Sequence, residues 1–182
     1  MKPAIRTVLL LAALCAMAPV RAELSVPAGY EAAAGRLDFP PVLFYAMALT
    51  ESGQSRMTPG YRAWPWTLSI NREARYFPDR AAASAALRDA LASGPEQLGV
   101  GLFQIEHRYH GHRFDSIDAM LDPYRNAQVA AEIFSEGLQE TGGDLWAAVG
   151  RFHSSTPEHA EAYRSRVAER LVRLLDRRAD GH

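Results

Sequence analysis

Phe39-Pro40-Pro41-Val42-Leu43-Phe44-Tyr45-Ala46-Met47-Ala48-Leu49-Thr50-Glu51-Ser52-Gly53 reads as one apolar helix that carries a single carboxylate, Glu51, to its last turn. Asp38 suits a cap at its start, Pro40 and Pro41 fit a first turn that needs no N–H donors, and Gly53 suits a left-handed stop. Val42, Leu43, Tyr45, Ala46, Met47 and Leu49 cover enough of the surface for the helix to be largely buried. Apolar packing and the partial negative charge of a helix carbonyl end both disfavour an ionised acid, so both raise the pKa of Glu51. Spacing alone leaves a second reading open, an exposed Glu beside a fraying helix stop.

Upstream, Pro27 to Arg36 reads as a short packing helix with Tyr30 and Ala33 or Ala34 inward. Residues 1–22 are a signal peptide by pattern: Lys2 and Arg6 precede an apolar run from Thr7 to Ala18, and Val20-Arg21-Ala22 is a small-residue cleavage site. The mature chain then begins at Glu23. The one cysteine, Cys15, lies inside the apolar run, and Leu14 before it is not the small residue that lipidation requires, so neither a disulfide nor a lipid anchor is expected. Taking Lys2, Arg6 and Arg21 from the 20 basic residues leaves 17 against 21 acidic, a net charge near −4 that gives no footing for nucleic acid. The remaining residues, about 160, make one ordinary domain. No later stretch is long and apolar enough to span a membrane.

Downstream, Gln54 to Tyr61 is turn-rich, with Pro59-Gly60 as a turn. Trp66, Leu68 and Ile70 alternate with Thr67 and Ser69, and Asn71-Arg72 turns the chain into Glu73 to Phe77, a small β-hairpin. Asp79 caps an Ala-rich helix that Gly94 stops near Ser93, with Ala82, Leu87 and Leu91 inward. Gln97 to Ile105 reads as an apolar extended piece in which Gly99 and Gly101 allow a close backbone approach. Gln104 is its polar exception, and a buried amide there must find partners, in the simplest case a loop backbone. Asp122-Pro123 opens a helix to about Glu140, with Ala127, Ala130, Ile133, Phe134 and Leu138 on its core face and Gly142-Gly143 at its end. Asp144 to Phe152 is a shorter helix carrying Leu145, Trp146 and Val149. Thr156-Pro157 starts the last one, with Tyr163, Val167, Leu171 and Leu174 as its seam and a frayed tail from Arg178 to His182. The pattern is an α+β domain, predominantly α.

His107, His110 and His112 raise the question of a metal. Zinc needs three or four converging ligands, and two His on one helical face normally sit four apart, so this spacing favours a solvated or carbohydrate-facing loop over a metal site.

Ala48-Leu49-Thr50-Glu51-Ser52-Gly53, Gly101-Leu102-Phe103-Gln104-Ile105, Val149-Gly150-Arg151-Phe152-His153-Ser154 and Tyr163, in that order, resemble the soluble lytic transglycosylase family of goose-type lysozyme-like fold. The likeness runs from about Pro27 to Leu171. Its first motif, a helix ending in Glu-Ser-Gly, is matched by Glu51, Ser52 and Gly53. Its second, Gly-Leu-Met-Gln-Ile, has Phe103 in place of Met. Its third, Ala-Tyr-Asn-Ala-Gly, is replaced by Arg151-Phe152-His153-Ser154-Ser155, a clear departure. The stretch Trp66 to Gly94 is longer than usual between the first two motifs, and in this it is similar to versions associated with conjugation, pilus or secretion apparatus.

The resemblance implies a lysozyme-like fold that cleaves peptidoglycan glycan strands without a cofactor; chain length makes it a single domain over residues 23–182, and the signal segment places it in the periplasm. Glu51 would protonate the departing oxygen, its pKa raised from about 4.3 towards 6. The substrate's 2-acetamido group would stabilise the cation, and the same Glu would then take the 6-hydroxyl proton to close a 1,6-anhydro ring. Ser52, Gln104 and Tyr163 would orient Glu51 or hold the N-acetyl group, with Phe152 and His153 as the facing wall. Trp64, Trp66 and Tyr109 offer sugar-stacking faces. Two alternatives stand beside this. Glu73, or less readily Glu106 or Asp115, could act as a second carboxylate in a hydrolytic muramidase. The altered third motif fits a non-catalytic peptidoglycan-binding component.

Overall fold

The computed structural model describes residues 28–34, 39–57 and 60–179; the expected leader, the Asp38 cap and residues 180–182 lie outside them. Helices α1 (Ala28–Ala34) and α2 (Pro41–Ser52) open the described chain, and Tyr30 and Ala33 face inward as their spacing predicts. Pro40 is extended, and its carbonyl accepts from the N–H groups of Leu43 and Phe44, which closes the first turn of α2. Every residue from Leu43 to Leu49 is buried. The helix is wrapped by core on all sides, which is why it shows little amphipathic contrast.

Gly53 does not make the left-handed stop expected of it, since its backbone is extended at φ −65° and ψ 133°. Glycine is required there for space: a Cβ would lie 2.2 Å from the Leu49 carbonyl oxygen and 2.3 Å from the Tyr61 ring. The chain therefore runs straight from the helix into β1 (Gly53–Gln54), which pairs antiparallel with β2 (Arg62–Ala63).

The expected hairpin forms from β3 (Thr67–Ile70) and β4 (Glu73–Tyr76). Asn71 and Arg72, at φ 51° and 71°, make a two-residue turn whose twist matches that of the strands it joins. Asp79 caps α3 (Arg80–Ser93) by accepting from the Ala82 N–H, and Gly94 ends it at φ 64°. Its buried face is Ala83, Ser84, Leu87 and Ala90, so the expected Ala82 and Leu91 are only half-buried. The Ser84 hydroxyl on this face donates to Asp118.

Residues 97–105 are not one extended piece. They fold back as β5 (Leu98–Val100), a turn from Gly101 to Gln104, and β6 (Ile105–Glu106), giving an antiparallel sheet of order β4-β3-β5-β6. Gly101 at φ 82° and Gln104 at φ 48° supply the reversal. The hairpin read from the sequence is thus half of a larger sheet.

Next come α4 (His107–His110) and 3-10 turns at Gly111–Arg113 and Ile117–Leu121, so the three histidines lie on helical turns and not in a loop. Asp122 and Asp144 cap α5 (Pro123–Glu140) and α6 (Leu145–His153), each accepting from two backbone N–H groups. The last helix, α7 (Pro157–Ala179), carries the fully buried Tyr163 and Val167 and continues through Arg178. Trp146 faces outward at 39 % exposure, because the face of α6 turned to its neighbours is made by Ala148, Val149 and Gly150. Helix α7 packs along α2 and α6, and α6 along α5. At the centre, Phe103 stacks on Phe44 at 4.3 Å, with Tyr30 and Phe39 beside them. Phe103, where the second motif has Met, is therefore a core side chain.

Candidate active site

The last turn of α2 sets Glu51 against α6 and α7. Its side chain is 13 % exposed, and its Oε1 lies 3.9 Å from His153 Nδ1. Burial pushes the pKa up to about 7, against the pull of the Tyr163 hydroxyl and the Arg166 charge, which both favour the carboxylate. The Tyr163 hydroxyl is itself fully buried and close to Glu51, yet among the described residues no partner meets full hydrogen-bond geometry with it. Burial is the dominant cause at the acid. The end of α2 is in part neutralised: the Leu49 carbonyl accepts from the Gly53 N–H and, at 3.3 Å, from the Tyr61 hydroxyl.

His153, at the end of α6, stacks flat on Tyr163 with ring centroids 4.6 Å apart and 3° between planes. Its pKa is lowered, first by burial and then by Arg166 and His159, so the ring is neutral at neutral pH. Phe152 turns instead toward the aromatic core, 6.4 Å from Phe103 and 6.5 Å from Tyr163.

Ser52 is fully buried. Its hydroxyl donates toward the Leu102 carbonyl at 2.7 Å, lies 3.2 Å from the Ala48 carbonyl, and accepts from the Trp64 N–H at 3.2 Å. One side chain thus ties the end of α2 to the Gly101–Gln104 turn and to Trp64, just past β2. Ser52→Ala is expected to destabilise the fold by about 1–3 kcal/mol in denaturant unfolding, since Leu102 and Trp64 lose a buried partner; an unchanged midpoint would mean that water replaces the hydroxyl. The Gln104 amide donates to the Gly101 carbonyl at 2.8 Å and the Thr67 carbonyl at 3.1 Å, which spends both N–H bonds on the backbone, as expected for a buried amide. Its carbonyl oxygen is left as an acceptor.

Trp64 and Trp66 are half-buried and meet edge to face at 5.0 Å, and the Trp64 indole donates to the Phe77 carbonyl at 2.7 Å. Tyr109 stands apart on α4, 64 % exposed and against the His110 ring. Glu73 lies at the hairpin tip, 71 % exposed and paired with Arg75. Glu106 accepts from the Leu98 N–H with both oxygens, at 2.9 and 3.1 Å, and Asp115 is exposed. Among the described residues, no three His, Cys, Asp or Glu side chains converge as a metal site would need.

Three contributors escaped the sequence reading. Tyr61 braces the end of α2, Asn126 holds the Gly101–Gln104 turn, and Arg166 lies over Tyr163 with its guanidinium carbon 5.5 Å from the ring centroid. Arg166 was legible in one respect, since a residue three after Tyr163 shares its helix face. A separate cleft of about 260 Å³, lined by Tyr30, Tyr45, Leu102 and Tyr124 among others, does not include Glu51. The family model described as Transglycosylase SLT domain matches residues 30–170. No curated protein and no solved structure matches the chain at a significant level.

Proposed function

The chain belongs to the transglycosylase SLT domain family, and from that premise we propose that Glu51 is first the acid and then the base of its reaction. It is a lytic transglycosylase that acts on peptidoglycan. Cleaving the β-1,4 bond between N-acetylmuramic acid and N-acetylglucosamine needs a proton on the departing oxygen while positive charge builds at the anomeric carbon. An acid with a pKa of about 7 holds that proton near neutrality and can release it. The emptied carboxylate then takes the proton of the muramyl 6-hydroxyl, whose oxygen bonds to the anomeric carbon. This closes the 1,6-anhydro ring, returns Glu51 to its starting form and consumes no water.

The observation that carries this reading is the isolation of the carboxylate. Among the described residues, the groups that shift Glu51 are Tyr163 and Arg166, with no second acid. Glu73 is engaged by Arg75 at the hairpin tip, and Glu106 by the Leu98 backbone, which supports charge stabilisation by the substrate's acetamido group over a hydrolytic carboxylate pair. In this reading Ser52 and Tyr163 orient the acid, the Gln104 oxygen receives the acetamido N–H, and His153 alone forms the wall facing the acid, with Phe152 packed into the aromatic core behind it. Trp64 and Trp66 offer their half-buried rings to sugars.

Digestion of purified sacculi followed by mass spectrometry of the muropeptides tests the mechanism. Anhydro ends are expected, and kcat/KM should fall as pH rises through about 7, because ionised Glu51 cannot donate. Reducing ends that have gained water, or a rate flat from about pH 6 to 9, would exclude it.

Export to the periplasm is supported by Lys2 and Arg6 ahead of the apolar run and by Val20-Arg21-Ala22 after it. Among the described residues no helix is long and apolar enough to cross a membrane. The long connection that forms β3, β4 and α3 supports service to a conjugation, pilus or secretion apparatus.

A further inference from the structure

Building on the assignment of Glu51, we propose that Arg166 is a substrate-binding residue that receives a carboxylate carried by the muramyl side chain of the glycan strand. Helix α7 presents Arg166 one turn after Tyr163, and the guanidinium lies over the ring on which His153 stacks, with His153 in turn 3.9 Å from Glu51. Arg166 is exposed. Its neighbours on the helix are engaged, Arg164 by Glu161, Arg170 by the Tyr61 hydroxyl and Arg173 by Glu169. Arg166 has no acidic side chain within 4.0 Å among the described residues.

In the empty site this cation works against the chemistry. Its charge lowers the pKa of Glu51 and of His153, so it favours the carboxylate where a protonated acid is needed. An anion arriving with the substrate removes that opposition. The sugar rings of the strand are neutral, and its negative charge is carried on the lactyl arm, either as the free lactyl carboxylate of a strand without peptide or as the carboxylates of the peptide attached there. A guanidinium fork fits a carboxylate with two parallel hydrogen bonds. Docking would then neutralise Arg166 and return Glu51 toward its protonated form at the moment the glycosidic bond is in place. A neutral N-acetylglucosamine polymer would receive neither effect.

Binding is measured by calorimetry in a Glu51→Gln background, which removes turnover, with three soluble strands: peptide-bearing, peptide-stripped, and stripped with the lactyl carboxylates capped as methylamides. With Arg166 present, at least one carboxylate-bearing strand is expected to bind about tenfold tighter than the capped strand. Arg166→Gln should reduce that preference to less than about twofold, and Arg166→Lys should restore part of it. A preference confined to stripped strands identifies the lactyl carboxylate, and one confined to peptide-bearing strands identifies the stem. Equal affinity for all three, a preference that survives Arg166→Gln, or no binding to any strand would overturn the assignment. Failure of the Glu51 mechanism registers elsewhere, as hydrolytic ends from the wild-type enzyme, and leaves this binding comparison intact.

Discussion

Glu51→Gln lowers the release of anhydro-muropeptides from sacculi by about 10²–10⁴-fold, the usual range for loss of a positioned general acid. Gln keeps the shape of the side chain and cannot give up a proton, so the packing of α2 along α7 remains and only the chemistry is lost. Stability moves in the opposite direction. The folded pKa of about 7 stands above the ordinary carboxylate value of 4.5, so the native state holds the proton more tightly than the unfolded chain. The contribution of Glu51 to stability is therefore greatest below its unfolded value and is lost as pH rises through about 7, leaving a penalty of about 3 kcal/mol for the buried carboxylate at pH 8. Gln does not ionise, so the variant should melt above the wild type at pH 8 and close to it at pH 4. Unchanged release would remove the carboxylate from the reaction. Melting temperatures that track each other from pH 4 to 8 would mean that Glu51 reaches water.

Asn126→Ala is expected to lower the melting temperature by roughly 10 °C, from a loss of about 3–5 kcal/mol. The side chain is fully buried and makes three hydrogen bonds to backbone, accepting from the Phe103 N–H at 2.8 Å and donating to the carbonyls of Met120 at 2.9 Å and Val100 at 3.0 Å. Truncation leaves all three backbone groups without that partner at a buried turn. The turn it holds also presents the Leu102 carbonyl to Ser52 and carries Gln104, so kcat should fall with stability. Scanning calorimetry alongside the sacculus assay reads both. A shift of less than about 2 °C would show that water substitutes for the amide.

The site was legible where its residues belong to local patterns. Glu51 could be placed on the closing turn of a buried helix because the apolar residues before it are continuous and Pro41 marks the entry. Tyr163 could be placed on the α7 seam by its spacing to Val167, but pattern alone could not say that its hydroxyl faces the acid. Phe152 and His153 are adjacent and part company in space, because successive helix residues diverge by about 100° and only one of them can look at Glu51. Arg166 is one of many arginines in the sequence; its spacing of three from Tyr163 sets it apart from Arg164, but not from Arg170, which lies seven on and shares the same face.

By itself the sequence determined the features that close within a few residues: the cap at Asp79, the helix opening at Asp122-Pro123, the stop at Gly94, the Asn71-Arg72 turn, and the helix with Glu51 in its last turn. A cap or a tight turn is settled by one side chain or one backbone torsion acting on its immediate neighbours, so its signal is complete in the local string. Only the tertiary structure decided why Gly53 must lack a side chain, where residues 97–105 fold back, which buried polar group holds that turn, and which cation stands beside the acid. Each of these depends on atoms brought together from distant parts of the chain, Tyr61 against Gly53, Asn126 against Gly101, and Arg166 with Tyr163 against Glu51.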